Sequence, residues 1–130
     1  MRREDARRLG ERGSAAVEFA LTLPIALLVL AAILRVGLVA RDRIVLQEAA
    51  RAGVREAAVS SDEAAIRSAV NSAGAGLDPA ALVVTVERGG GVGASVRVVL
   101  TYQEHLGPGW DLLPTVVRLD AAATMRQEFG

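Results

Sequence analysis

The chain of 130 residues contains no cysteine and one histidine, His105. Without cysteine it can form no disulfide bond, no thiolate metal site and no cysteine-based catalytic site. A single histidine also excludes a metal site built from several histidines of one chain. These absences argue against an enzyme, and we expect neither a bound metal nor a cofactor.

Lysine is absent as well, so all 15 basic residues are arginines, and 15 acidic residues balance them. We interpret the missing lysine as a genomic preference without functional meaning. Five of the arginines but only three of the acidic residues lie in residues 1–13. The rest of the chain is therefore weakly acidic, which argues against a nucleic-acid-binding protein.

A long apolar run follows this basic segment. Residues 14–34 hold one charged side chain, Glu18, and residues 19–34 hold none. In a helix, 21 residues rise about 30 Å, which is the thickness of the hydrocarbon core of a membrane. Arginines in front of such a helix favour a cytoplasmic amino terminus. We predict a cytoplasmic leader peptide over 1–13 and a transmembrane helix over 14–35.

Helical character continues beyond the apolar run, and we predict an extracytoplasmic helical extension over 36–59. If residues 14–59 form one rod, it would be about 69 Å long. Pro24 removes one backbone donor and predicts a kink near the start of the rod. A line of small residues at every fourth position would let another element approach closely. This line consists of Ala49, Gly53 and Ala57. It could pack on the chain's own sheet or on a helix of another subunit.

The remaining residues, 60–130, predict a small α+β head domain. Ser60 and Glu63 form a capping-box pattern and predict a second helix that ends near Gly74. Three segments of period two follow and predict a three-stranded antiparallel sheet. The residues predicted to share a face are Leu82, Val84 and Val86 in the first segment, Ala94, Val96, Val98, Leu100 and Tyr102 in the second, and Val117, Leu119, Ala121, Ala123 and Met125 in the third.

Three features of the head allow both a functional and an ordinary interpretation. Residues 88–95 (RGGGVGAS) are similar to a phosphate-binding loop, but they lack its Gly-Lys-Ser/Thr ending and join two strands, so we predict a hairpin turn. His105 has no nucleophile or metal ligand in its sequence context and is interpreted as a surface histidine. Trp110 lies in a loop and is interpreted as a lid over the sheet; if exposed, it becomes a candidate partner contact.

Residues 12–19 (RGSAAVEF) place the lone carboxylate at the threshold of the apolar run. A charge in the middle of a membrane costs about 2.5–3.5 kcal/mol on insertion scales, so Glu18 calls for a reason. Removal of the leader after Gly13 would give one, because the new ammonium group on Ser14 would lie one helical turn from the carboxylate. The ordinary interpretations are an interfacial carboxylate that reaches toward water and a linker glycine.

These residues, together with the apolar run and the stretch 46–58 (LQEAARAGVREAA), resemble the TadE-like pseudopilins of the tight-adherence (Flp pilus) system. The resemblance implies cleavage after Gly13 by a prepilin peptidase, with Ser14 as the new amino terminus and Glu18 as the fifth mature residue. Phe19 stands where the family has an aromatic residue.

The resemblance further implies a pilin-like fold and a minor, non-enzymatic role in pilus assembly. The expected partners are the peptidase, other pilin-like subunits, the assembly machinery and the inner membrane, with the head outside the cytoplasm. Two alternatives stay open. The chain could be an uncleaved single-pass anchor whose head binds a ligand in a cleft near Trp110, or a secretory signal peptide could be cut after Ala40. A membrane-anchored hydrolase lacks the necessary catalytic residues.

Overall fold

The computed structural model describes residues 2–91, 93–105 and 116–128, with side chains described from residue 15 onward except that of His105. The elements are helix α1 (Arg2–Val59), helix α2 (Glu63–Ala73), a short 3-10 helix (Pro79–Ala81) and the strands β1 (Leu82–Arg88), β2 (Ser95–His105) and β3 (Val116–Arg126). The predicted α+β class is confirmed: a long apolar helix, a second short helix and a three-stranded antiparallel sheet. The chain divides into two compact units, Met1–Val39 and Ala40–Gly130.

The first unit is the amino-terminal part of α1. Its large apolar side chains are exposed from Val17 to Leu38; Phe19 is 66% exposed and Leu21 is 70% exposed. Pro24 lies inside the helix. Among the described helices, α1 is long and apolar enough over Ala15–Val59 to cross a membrane, with a mean hydropathy of 2.5 and none of its most apolar window buried. It is therefore a candidate membrane span.

The second unit contains the hydrophobic core. Its sheet has the order β1-β2-β3 with both pairs antiparallel, and the register aligns Leu82 with Tyr102 and Tyr102 with Leu119. Alternate residues of each strand face the core, as the period-two pattern predicts. The carboxy-terminal part of α1 and helix α2 supply the rest of the core. The fully buried large side chains are Leu46, Ile66, Val70, Val96, Val98 and Leu100.

The turns and caps of this unit follow from local side-chain chemistry. The predicted hairpin over residues 88–95 is confirmed, because these residues join β1 to β2, and Gly91 and Gly93 adopt the positive φ angles that glycine allows. The prediction of Ser60 as helix cap is wrong. Asp62 caps α2, since its Oδ1 accepts a hydrogen bond from the Ala64 amide at 2.9 Å. Ser60 Oγ instead accepts one from the Asp62 amide at 3.0 Å.

Candidate functional site

The predicted processing residues lie in the first unit. The backbone of Gly13 and Ser14 is helical within α1. Glu18 follows one turn later, exposed on the helix surface, and Phe19 is exposed beside it. The Thr22 hydroxyl donates a hydrogen bond to the Glu18 carbonyl at 2.7 Å, which satisfies a polar group inside the apolar run. The three ion pairs seen among the side chains described from residue 15 onward do not involve Glu18.

Residues 13–55 match the family of TadE-like proteins. The match begins at Gly13 and confirms the resemblance inferred from the residues. The TadE-like family is a structural, pilus-related family that is not known for enzymatic activity. No curated protein and no solved structure matches the chain.

The TadE-like segment also contains Ala49 and Gly53 of the small-residue line, and Ala57 lies two residues beyond it; all three belong to the second unit. Ala49, Gly53 and Ala57 are all buried, the two alanines completely. A Cβ atom on Gly53 would lie 2.6 Å from Val70 Cγ2 and 3.3 Å from Val98 Cγ1. Helix α1 therefore packs closely on α2 and β2 of its own chain at this point. Packing on a helix of another subunit stays a prediction.

The carboxyl end of α1 is held by a set of long-range hydrogen bonds. Arg88 Nη1 donates to the Ala57 carbonyl at 2.7 Å, and Arg88 Nη2 donates to the Ser60 carbonyl at 2.9 Å. The amide of Glu128 donates to the Ala58 carbonyl at 3.0 Å. The last carbonyls of a helix lack partners within the helix, and the helix dipole also favours a cation at this end. The end of β1 and the chain after β3 thus attach α1 to the sheet.

Two carboxylates meet near the other end of the core. Glu104 continues the inward row of β2 after Tyr102, and its Oε2 atom is buried without a hydrogen-bond partner. Burial raises the pKa of Glu104, and the charge of Asp42 on α1 and a hydrogen bond with it raise that pKa further. The Asp42 side chain is 14% exposed and its Oδ1 lies 3.8 Å from Arg41 Nη1.

Sequence reasoning missed both of these arrangements. Arg88 and Ala57 are separated by 31 positions, so no local pattern joins them. The only available signal was general: a helix end requires donors, and an arginine at the end of a strand can supply them. For Glu104 the signal was the period-two row itself, which continues past Tyr102 and directs the carboxylate to the core side.

Two predicted sites lie where the structure gives no test. Trp110 lies outside the described residues, and so does the cleft that we expected near it. The side chain of His105 is also outside them. Within the described part of the chain, no group of three histidine, cysteine, aspartate or glutamate residues could hold a metal ion.

Proposed function

We propose that the chain is a minor pilin-like subunit needed to assemble a tight-adherence (Flp-type) pilus, and that a prepilin peptidase removes its leader after Gly13. The observation that carries the proposal is the TadE-like match over 13–55, which begins at the glycine before the proposed cut. The exposed apolar surface of α1 behind that glycine supports it, since such a surface needs a membrane or other subunits to cover it.

The apolar helix has two roles in this proposal. It anchors the subunit in the inner membrane with its amino terminus in the cytoplasm and the head outside, and it later packs against the helices of other subunits. Lipid tails are as apolar as the helix itself, so moving between these environments gains little hydrophobic energy. Packing and polar contacts then decide where the helix docks.

Glu18 is the polar contact that we assign to this docking. Cleavage after Gly13 would create an ammonium group on Ser14, either in the same chain or in a neighbouring one. In an environment of low dielectric constant, an ammonium–carboxylate pair is much stronger than it is in water. A pair between subunits would fix the axial register of the helices and would keep an unpaired charge out of hydrocarbon.

The leader cut is tested by intact mass and amino-terminal sequencing of the membrane-extracted chain, from cells with and without the peptidase. We expect a mature chain that begins at Ser14 only when the peptidase is present. A start at Met1 in both strains would contradict processing and favour the permanent anchor. A start at Arg41, directly after Ala40, would favour cleavage of a secretory signal peptide.

The orientation is tested with single cysteines, which the natural chain does not contain. Asn71→Cys places one on an exposed position of helix α2 in the head, and Arg3→Cys places one in the leader, which is retained in cells without the peptidase. We expect a reagent that does not cross the inner membrane to label the first in intact spheroplasts and the second only after lysis. The reverse pattern would contradict the proposed orientation.

A further inference from the structure

Among the described strands, the two outer strands of the sheet each have an edge without a neighbouring strand. In the order β1-β2-β3, each of the strands β1 and β3 has one neighbour among the described strands. The other edge of such a strand carries backbone donors and acceptors that can pair with an added strand. β3 presents such an edge over 11 residues and β1 over 7 residues.

Helix α2 forms a groove beside β1. The groove has a volume of about 210 Å³, and its lining residues are Glu63, Ile66, Arg67, Val84, Thr85 and Val86. A strand with a helix alongside it is an arrangement in which an extended segment adds to the sheet. In such binding the main chain supplies affinity and the side chains supply specificity.

We propose that the groove between β1 and α2 receives strand β3 of a second copy of this chain, as a parallel strand that extends the sheet. The direction of the strands is the first argument. Both β1 and β3 are antiparallel to β2, so they run the same way. Pairing β3 of one copy with β1 of another keeps residues 40–59 of both copies pointing in the same general direction.

That common direction is what two chains anchored in one membrane require, and here the inference rests on the proposed function. Antiparallel pairing of β3 with β3 would point the two copies in opposite directions. Parallel pairing of β1 with β3 is therefore the arrangement that suits membrane-anchored copies.

The exposed face of the sheet supplies the second argument, a register with matching side chains. The pairs in this register are Val83 with Ala122, Thr85 with Thr124, and Glu87 with Arg126. Opposite charges and paired threonines on neighbouring strands are favourable. A shift by two residues places Glu87 beside Thr124 and Val83 beside Asp120, so the charge pair is lost and an apolar side chain meets a carboxylate.

The core side of the sheet supplies the third argument, a match of side-chain size. In the same register Ala121 and Ala123 of the added strand lie beside Leu82 and Val84, and Met125 lies beside Val86 at the groove. The small side chains of these two alanines would let the added strand fit beside α2 of the first copy. Met125 is 42% exposed in the single chain, and a flexible methionine fills an irregular groove well.

Disulfide trapping in the full-length, membrane-embedded chain tests the proposal. Thr85→Cys is placed in one tagged copy and Thr124→Cys in another, and the two are co-expressed. Adjacent strands lie about 4.8 Å apart, within the range that a disulfide spans. We expect a mixed disulfide after mild oxidation. The matched control pairs Thr85→Cys with Arg118→Cys, which is also exposed but lies about 20 Å away along β3.

A charge exchange provides a second readout. Glu87→Arg should lower the yield of the mixed disulfide roughly two- to fivefold, as expected for one opposite-charge pair across strands. Arg126→Glu in the other copy should restore it. Glu87 and Arg126 are exposed, so neither change removes a core side chain.

Several outcomes would overturn the pairing. The first is the absence of a mixed disulfide, and the second is a disulfide of equal yield at Arg118→Cys. The others are a homodimer through Thr124→Cys, which would indicate antiparallel β3 strands, and capture of a different protein by Thr85→Cys. Amino-terminal sequencing of the same samples separates the two proposals. A Ser14 start without the disulfide refutes only the pairing, and a Met1 start with the disulfide refutes only the processing.

Discussion

The two units of this chain differ in what their apolar side chains contact. In Met1–Val39 the described apolar side chains of α1 are exposed except that of Val39, whereas in Ala40–Gly130 alternate residues of the strands and one face of each helix are buried. The TadE-like match covers 13–55, and so includes the exposed helix and the first buried residues of the head. Most of the TadE-like match lies in the exposed part, where packing within the chain does not explain the apolar residues. The head carries residues that its own packing explains.

The largest expected effect concerns Glu18 in the exposed part of α1. We predict that Glu18→Ala leaves leader removal and the folding of the head unchanged but abolishes entry of the subunit into pili or assembly complexes. The reason is that the carboxylate has no cation partner among the described side chains, so its partner is expected in the assembly.

Co-purification with pilus components and intact mass measure the two effects separately. Glu48→Ala is the matched control, since Glu48 is an exposed glutamate on the same helix that pairs with Arg51 at 3.3 Å. Such a surface pair contributes little, so this variant should assemble normally. Normal piliation with Glu18→Ala would refute the assigned role.

The next effect compares two glycines of α1. Gly53→Ala places a Cβ atom 2.6 Å from Val70 Cγ2, whereas Gly37→Ala has nothing within 4 Å among the described atoms. Crowding a packed core typically costs about 1–3 kcal/mol, more than the roughly 1 kcal/mol that alanine gains over glycine in a helix. We therefore predict that Gly53→Ala lowers the free energy of unfolding of the head and that Gly37→Ala does not.

Urea titration with pulse proteolysis of the full chain in lipid nanodiscs measures this difference. Equal stability of the two variants would mean that α1 does not pack on Val70 as closely as the distance requires. The result would then reopen the other interpretation of the small-residue line, contact with a helix of another subunit.

A smaller effect concerns the attachment of α1 to the sheet. Arg88→Ala removes two donors from the carbonyls of Ala57 and Ser60. We predict a loss of about 1 kcal/mol in the free energy of unfolding, below the roughly 1.5–3 kcal/mol typical of hydrogen bonds to charged groups, because Arg88 is exposed. Hydrogen exchange should rise at the carboxyl end of α1. Arg97→Ala, an exposed arginine of β2, is the control and should leave that exchange unchanged.

The elements themselves were predictable from the sequence, because each strand alternates apolar and polar residues and α2 has a local cap. The helix caps and the long-range contacts were less predictable from the sequence. Ser60 and Asp62 both suit a helix start, and only the backbone geometry shows that Asp62 makes the bond. The contacts of Arg88 with Ala57 and of Asp42 with Glu104 join distant positions, which local periodicity does not address. The groove beside β1 likewise depends on how α2 packs on the sheet.

The smallest effect is a change with pH, and it concerns the two carboxylates of the core. Burial first, and then Asp42, raise the pKa of Glu104 above 4.5. The folded chain therefore holds this proton more tightly than the unfolded chain. The contribution of Glu104 to the free energy of unfolding falls as pH rises from 4.5 through the raised pKa, and it is constant above that pKa. We predict that Glu104→Gln removes this fall and makes the head more stable than the natural chain at pH 7.

Urea titrations between pH 4 and pH 8 measure the difference between the two proteins. Asp120, whose pKa is lowered chiefly by a hydrogen bond from Thr101, contributes a slope of opposite sign to both proteins and cancels in that difference. Asp42→Asn should reduce the fall only in part, because burial of Glu104 is the larger cause and remains. Complete removal of the fall by Asp42→Asn would instead assign the raised pKa to the neighbouring charge.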